Sequence, residues 1–223
     1  MAGPALTKRT SYGLLPPMKI ALIVPGARST TDPRGLKKYE RLFPHLLPMS
    51  IGYMGAVLER AGYEVLLVDQ IAQQLSNEAL VELVGQARPD VVGVSVLTAA
   101  ASNVAALGPL LRARLPEAFI VHGNHHASFF AEETLATGFA DAVIHGEGEE
   151  TLLELVRELE GGAPDLSRIL GLSHPGDGGA VHNPPRPLIE DLDSLPYPAW
   201  HHFDLEAPAF AEMPMIGAYS TPL

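Results

Sequence analysis

Between Lys19 and Gly162 the sequence alternates five times between two textures: a short apolar run rich in β-branched residues, then a segment with helical spacing. The runs are KIALIVP (19–25), YEVLLVD (63–69), DVVGVSVL (90–97), AFIVHG (118–123) and DAVIHG (141–146). None alternates cleanly between apolar and polar residues, as expected of strands covered on both faces. The intervening segments read as helices over 50–62, 76–87, 102–114, 129–137 and 149–162. Ile51, Met54, Val57 and Leu58 share one helical face, and Gly62 stops that helix. Ser76 is placed to cap the second helix, which carries Leu80, Leu83 and Val84 at helical spacing, and Ser102 to cap the third. Such alternation implies parallel strands joined by right-handed crossovers.

The expected fold is therefore α/β: a doubly wound five-stranded parallel sheet, flavodoxin-like, in the order 2-1-3-4-5. After Gly162 the texture changes. ILGLSH and AVHN flank the turn PGDGG and predict a C-terminal hairpin. DLDSLPYPAW then reads as an extended connector, and MIGAYSTPL ends the chain as a β-like run.

Composition narrows the function. A formal net charge of −11 argues against a general nucleic-acid binder, which needs clustered Lys and Arg. Nine Asp/Glu against the single Arg157 between 132 and 160 read as an acidic, solvated helix face. With no cysteine, disulfides, thiolate zinc sites and cysteine-held iron–sulfur clusters are excluded within these residues. No apolar run approaches the roughly 20 residues of a membrane span. Residues 1–17 lack the apolar core of a secretory signal and read as a flexible leader, so the expected location is cytoplasmic.

In an open parallel sheet, ligands bind beyond the C-terminal ends of the strands. The first of these exits, from Pro25 to about Met49, is far longer than an ordinary βα loop and holds Arg28, Arg34, Lys37, Lys38 and Arg41. That cluster is either solvated loop charge or a site for an anionic ligand or a partner domain. No G-x-G-x-x-G follows the first strand, and no P-loop occurs. Ser95 and Thr98, at the end of strand 3, suit either a turn or a narrow slot that hydrogen-bonds a ligand. Gly146 and Gly148, in GEGEE, permit close backbone approach, while Glu149 and Glu150 suit the first turn of the next helix electrostatically. His122, His125 and His126 lie within five positions, yet spacing alone brings no three ligands together, so no metal site is read there. A hydrolase reading finds no nucleophile elbow.

Taken together, LPMSIGYMGAVLERAGYEVLLVD, DVVGVSVLT, GNHHASFFAEETL and DAVIHGEGEETLLEL resemble the cobalamin-binding domain of cobalamin-dependent radical S-adenosylmethionine enzymes. That family shows G-G-P-H-A-[ST], then F-x-P-E-E, then G-E-G-E. Gly123 takes the first glycine, Asn124 the second, His125 the proline and His126 the histidine, followed by Ala127 and Ser128. Gly146, Glu147, Gly148 and Glu149 match the G-E-G-E turn. Asn124 departs from glycine; if the position needs positive φ, Asn is the side chain best able to supply it. The resemblance implies three segments: residues 18–162 as a cobalamin-binding Rossmann-like domain, 163–223 as hairpin and linker, and a radical domain downstream. That domain would carry S-adenosylmethionine and a [4Fe-4S] cluster on a CxxxCxxC triplet. It also implies cobalamin contacts from Ser95, Thr98, Gly123, Asn124, His126, Gly146, Glu147 and Gly148, with the dimethylbenzimidazole tail in a slot beside strand 3, near Gly93. No D-x-H-x-x-G, the motif that supplies a histidine to cobalt in other cobalamin proteins, follows strand 1; the resemblance implies a tail detached from cobalt with no protein histidine below it. The chain alone is expected to bind and not to turn over. The competing reading is a stand-alone flavodoxin-like module that takes a cobalamin or another nucleotide as signal.

Overall fold

The structure, a computed structural model, describes residues 17–27 and 47–205. Five strands form the parallel part: β1 (Lys19–Val24), β2 (Glu64–Asp69), β3 (Val91–Ser95), β4 (Phe119–Gly123) and β5 (Ala142–Ile144). They alternate with α1 (Met49–Arg60), α2 (Asn77–Ala87), α3 (Ala101–Arg114), the short α4 (Asn124–Phe129) and α5 (Ala131–Ala136), and α6 (Glu149–Glu160). Strand order is β2-β1-β3-β4-β5 with every neighbouring pair parallel, as the alternation predicts.

Period-two geometry sorts each strand's side chains to opposite faces. Ala21, Ile23, Val92, Val94 and Ile120 pack with Leu80 and Val84 of α2 and with Leu107 and Leu111 of α3. Ile20, Leu22, Val121 and Ile144 pack on the other face with Ile51 and Leu58 of α1 and with Leu152, Leu155 and Leu159 of α6. The apolar runs lack alternation because both faces are buried.

The predicted hairpin forms as β6 (Leu172–Gly176) and β7 (Gly179–His182), closed by the two-residue Asp177–Gly178 loop. Rather than standing apart, it extends the sheet to seven strands, with β6 antiparallel to β5. This covers the main-chain groups that a three-residue edge strand would leave open. The connector is less extended than its prolines suggest, since it turns at Leu192–Ser194 and Trp200–His202.

Two local expectations are revised. Ser102 does not cap α3: a 3-10 turn at Thr98–Ala100 leads into that helix, Ala100 stands at the cap, and Ser102 is an exposed helical residue. The helix read over 129–137 is two helices, α4 and α5, broken at Phe130, whose φ of −119° and ψ of 45° are not helical. The stretch after β4 is thus helical from Asn124 onward. The leader through residue 16, the five-residue basic cluster and the terminal MIGAYSTPL lie outside the described residues. Ser76 does cap α2, its hydroxyl accepting from the Ala79 amide at 3.2 Å.

A buried polar network ties the β1 and β2 exits to α2 and α3. Asn103, 3% exposed, donates to the Gly26 carbonyl at 2.9 Å and to Gln70 Oε1 at 2.8 Å, and accepts from Asn77 Nδ2 at 2.9 Å. Gln70 in turn accepts from the Gly26 amide and donates to Asn77 Oδ1. Removing one partner strands the others away from water. Asn103→Ala is expected to lower unfolding stability by about 1–3 kcal/mol in urea titrations, whereas the exposed Ser102→Ala should leave it nearly unchanged.

Candidate functional site: a cavity at the strand C-termini

Between the C-terminal halves of β1, β3 and β4 and the N-terminal turns of α1 and α6 lies a cavity of about 380 Å³. Its floor is Leu22, Gly93 and Val121; helix α1 contributes Ile51 and Met54, and α6 contributes Glu149 and Leu152. Ser95, Gly123, Asn124, His125 and Ser128 form the wall beyond β3 and β4, with Gly146, Glu147 and Gly148 beyond β5. The volume and the mainly apolar lining with a few polar groups suit an organic ligand.

Absent side chains help to make this space. A Cβ on Gly93 would sit 2.7 Å from Leu22 Cδ2, so any side chain there displaces Leu22. A Cβ on Gly148 would stand 3.1 Å from Met54 Sδ, so glycine lets α6 approach α1 closely. Gly146 has φ of +69°, a left-handed conformation that favours glycine. Gly123 is different: its backbone is extended, and a Cβ would meet Ile144 only at ordinary contact distance.

Asn124 answers the question raised by its departure from glycine. Its φ is +75°, and its side chain holds that turn: Nδ2 donates to Ser95 Oγ at 3.0 Å, and Oδ1 accepts from the His125 amide at 2.7 Å. Two neighbouring bonds, Val96 N–H to the Gly123 carbonyl and His126 N–H to the Val96 carbonyl, fasten the start of α4 to the end of β3.

Six of the eight residues singled out in the sequence, Ser95, Gly123, Asn124, Gly146, Glu147 and Gly148, share the walls of this one cavity. Thr98 and His126 do not. Thr98 is exposed at the start of its 3-10 turn. The His126 ring stacks on Phe130 with centroids 4.7 Å apart, and its Nδ1 is buried without a hydrogen-bond partner among the described residues. Its neighbour His125 lines the cavity instead, because α4 begins at Asn124 and rotates the two rings to different sides. Glu147 also has a structural duty, accepting from the Ile189 amide of the connector at 2.7 Å.

In the sequence Glu149 reads as a helix-dipole carboxylate and as the last residue of the G-E-G-E match, not as a candidate contact. Here it lines the cavity, and its Oε2 is buried with no hydrogen-bond partner among the described residues. Burial pushes its carboxyl above the usual range; Glu147 and Glu150 add to this against the backbone N–H bonds at the helix start. A serine–histidine–carboxylate set does exist elsewhere: Ser173 Oγ lies 2.7 Å from His182 Nδ1, with Glu132 3.6 Å beyond. Ser173 is wholly buried in β6 and absent from the cavity walls, so the set forms no hydrolytic site.

His122, 5% exposed, forms part of the cavity wall, and burial, aided by the Arg112 charge, lowers its pKa to about 4. The imidazole is therefore neutral at pH 7. A histidine whose folded pKa lies below its unfolded value binds protons preferentially when unfolded, so stability is full above about pH 6.5 and falls toward pH 4. The expected loss over that window is about 3 kcal/mol. Urea unfolding at a series of pH values should show this slope, and His122→Leu should flatten it.

Comparison with known proteins identifies the family. A family profile described as the B12 binding domain matches residues 44–156, just over half of the chain. An uncharacterized methyltransferase of Pyrococcus horikoshii, PH0819, is 30% identical over 191 residues, covering 82% of this chain and 38% of that protein. Cytidylyl-2-hydroxyethylphosphonate methyltransferase of Streptomyces wedmorensis is 32% identical over 209 residues, covering 74% of this chain and 39% of that protein. The chain thus spans well under half the length of these relatives. Among solved structures, the cobalamin-dependent S-adenosylmethionine radical enzyme OxsB, with aqua-cobalamin and S-adenosylmethionine bound, superposes with a TM-score of 0.68 at 19% identity. That match covers 82% of this chain and 24% of OxsB. The radical S-adenosylmethionine methyltransferase TsrM of Kitasatospora setae, with cobalamin and a [4Fe-4S] cluster bound, gives 0.63 at 21% identity, over 81% of this chain and 31% of TsrM. A fold with its cavity at the strand C-termini and a profile match spanning α1 to α6 lead to one assignment: this chain belongs to the B12 binding domain family.

Proposed function

We propose that the cavity receives the nucleotide tail of cobalamin, with the tail detached from cobalt and the corrin lying across the C-terminal ends of the strands. The observation that carries this reading is the cradle at Gly93, where a missing side chain opens a mainly apolar slot between sheet and helices. Ser95, Asn124 and Ser128 offer hydroxyl and amide groups on one wall, and Glu149 offers on the other a carboxyl oxygen with no hydrogen-bond partner among the described residues. Gly123, Gly146, Glu147 and Gly148 complete the enclosure, and Thr98 and His126 stay outside its walls. Without a D-x-H-x-x-G run after β1, the reading assigns no protein histidine to cobalt.

When bound, cobalamin supplies a cobalt centre able to carry a methyl group. The chain's own residues bind and orient the cofactor and shield its tail from water. The methyltransferases among the relatives are more than twice as long as this chain, so the reading places S-adenosylmethionine and a [4Fe-4S] cluster in a domain downstream of it. On this reading the chain alone binds the cofactor and does not turn over.

Gly93→Ala tests the cradle. Displacing Leu22 into the slot should weaken hydroxocobalamin binding about tenfold or more, since overpacking of this kind costs about 1–3 kcal/mol. Ser76→Ala, remote from the cavity, should lose about 1 kcal/mol of stability while keeping its affinity. Equal affinity for wild type and Gly93→Ala would place the ligand elsewhere.

A further inference from the structure

A second group of potential ligands lies at the opposite end of α1 from the cavity. Glu59 occupies the last turn of α1, nine residues beyond Ser50, which puts it about 13 Å along the helix axis from the cavity's α1 wall. Facing it is the turn Trp200–His202 of the connector. His202 Nε2 lies 2.6 Å and His201 Nε2 3.0 Å from the same oxygen, Glu59 Oε1, and the two imidazole centroids are 4.4 Å apart. The three donor atoms all fall within 4.8 Å of one another.

This convergence is built by packing. Ala199, 2% exposed, donates its amide to the Gly52 carbonyl of α1 at 3.0 Å. A Cβ on Gly52 would press on Pro198 and Phe203 at 3.2 and 3.4 Å, so glycine lets the connector lie directly on the helix. Arg60 adds a bond to the Ser194 carbonyl at 2.7 Å. Two consecutive histidines are thereby held over one carboxylate.

We propose that Glu59, His201 and His202 form a site for a divalent transition metal of the zinc class, clasping the connector to α1. Two imidazole nitrogens and a carboxylate oxygen are a ligand set that zinc favours, and three protein ligands leave a fourth position for water. Ligands about 2.0–2.2 Å from a tetrahedral ion stand about 3.3 Å apart, so the 3.0 Å His201–Glu59 contact opens by about 0.3 Å and the 2.6 Å His202–Glu59 contact by about 0.7 Å. The position also suits a cation. Glu59 sits at a helix C-terminus, where an anion is unfavourable and positive charge is stabilising. Side-chain exposures of 29% for Glu59, 20% for His202 and 66% for His201 give a held pair of ligands and an open side for entry.

The test uses the full 223-residue chain, metal-stripped and free of any polyhistidine tag. Zn²⁺ titration by calorimetry should show one equivalent bound at micromolar concentration. Zinc at about 100 times the dissociation constant should raise the thermal midpoint by about 5 °C. Co²⁺ should give the intense visible absorption of a four-coordinate site. Glu59→Gln keeps a hydrogen-bond acceptor but loses the anionic ligand; it and His202→Ala should each weaken Zn²⁺ binding about tenfold or more, while His174→Ala should not. Circular dichroism identifies any unfolded variant, and the wild-type cobalt spectrum reads the site without mutation. Absence of zinc binding by wild type, or undiminished binding in folded Glu59→Gln, would overturn the assignment and leave a hydrogen-bonded triad.

Discussion

The parallel pairing of β1 with both β2 and β3 dictates where this molecule can hold a ligand. After β2 the chain must cross back over β1 to reach β3, so α1 leaves toward one face and α2 toward the other. Helices that diverge in this way leave a crevice beyond the strand ends, at the point where strand order reverses. The cavity lies there, roofed by α1 and α6 on the face where Gly93 supplies no side chain. The space is opened by a missing side chain in the centre of the sheet, where packing is otherwise close to complete.

The same helix that roofs the cavity is also the element on which the connector lies. Gly52, Glu59 and Arg60 each meet connector residues, while Ile51 and Met54, interleaved with them along α1, face the cavity. Glu147 repeats the arrangement at the other wall by lining the cavity and holding the Ile189 amide. A bound ligand and the path of the chain leaving the domain therefore bear on the same two walls. That coupling is a physical reason for the G-E-G-E turn to carry more than backbone freedom: Gly146 adopts positive φ, Glu147 anchors the connector, Gly148 admits Met54, and Glu149 borders the cavity.

What could be read from the residues followed the range of the interactions. Strand order, the hairpin and the Ser76 cap depend on local period, turn chemistry and crossover handedness, and each was expected from the sequence. Asn in a family glycine position raised the question of positive φ at residue 124, and the fold answers it with a φ of +75°. Which histidine reaches the cavity was not legible, because it depends on where α4 begins, and helical spacing in the sequence did not place that start at Asn124. Glu149 was hidden for a different reason: a carboxylate in a helix's first turn has a sufficient local explanation, and its place on the cavity wall exists only in the assembled fold. The Asn103–Gln70–Asn77 network and the Glu59–His201–His202 cluster join residues 7 to 143 positions apart, and no periodicity marks them.

The central claim is that the cavity binds a nucleotide tail rather than the corrin ring. Equilibrium titration of the chain with hydroxocobalamin and with aquocobinamide, which has the corrin but no nucleotide, compares the two directly. One equivalent of cobalamin should bind, with the visible spectrum of a tail-detached cobalt, and cobinamide should bind about 100-fold more weakly, the equivalent of about 2.7 kcal/mol. Equal affinity for the two corrinoids, or no retention of either, would contradict the claim.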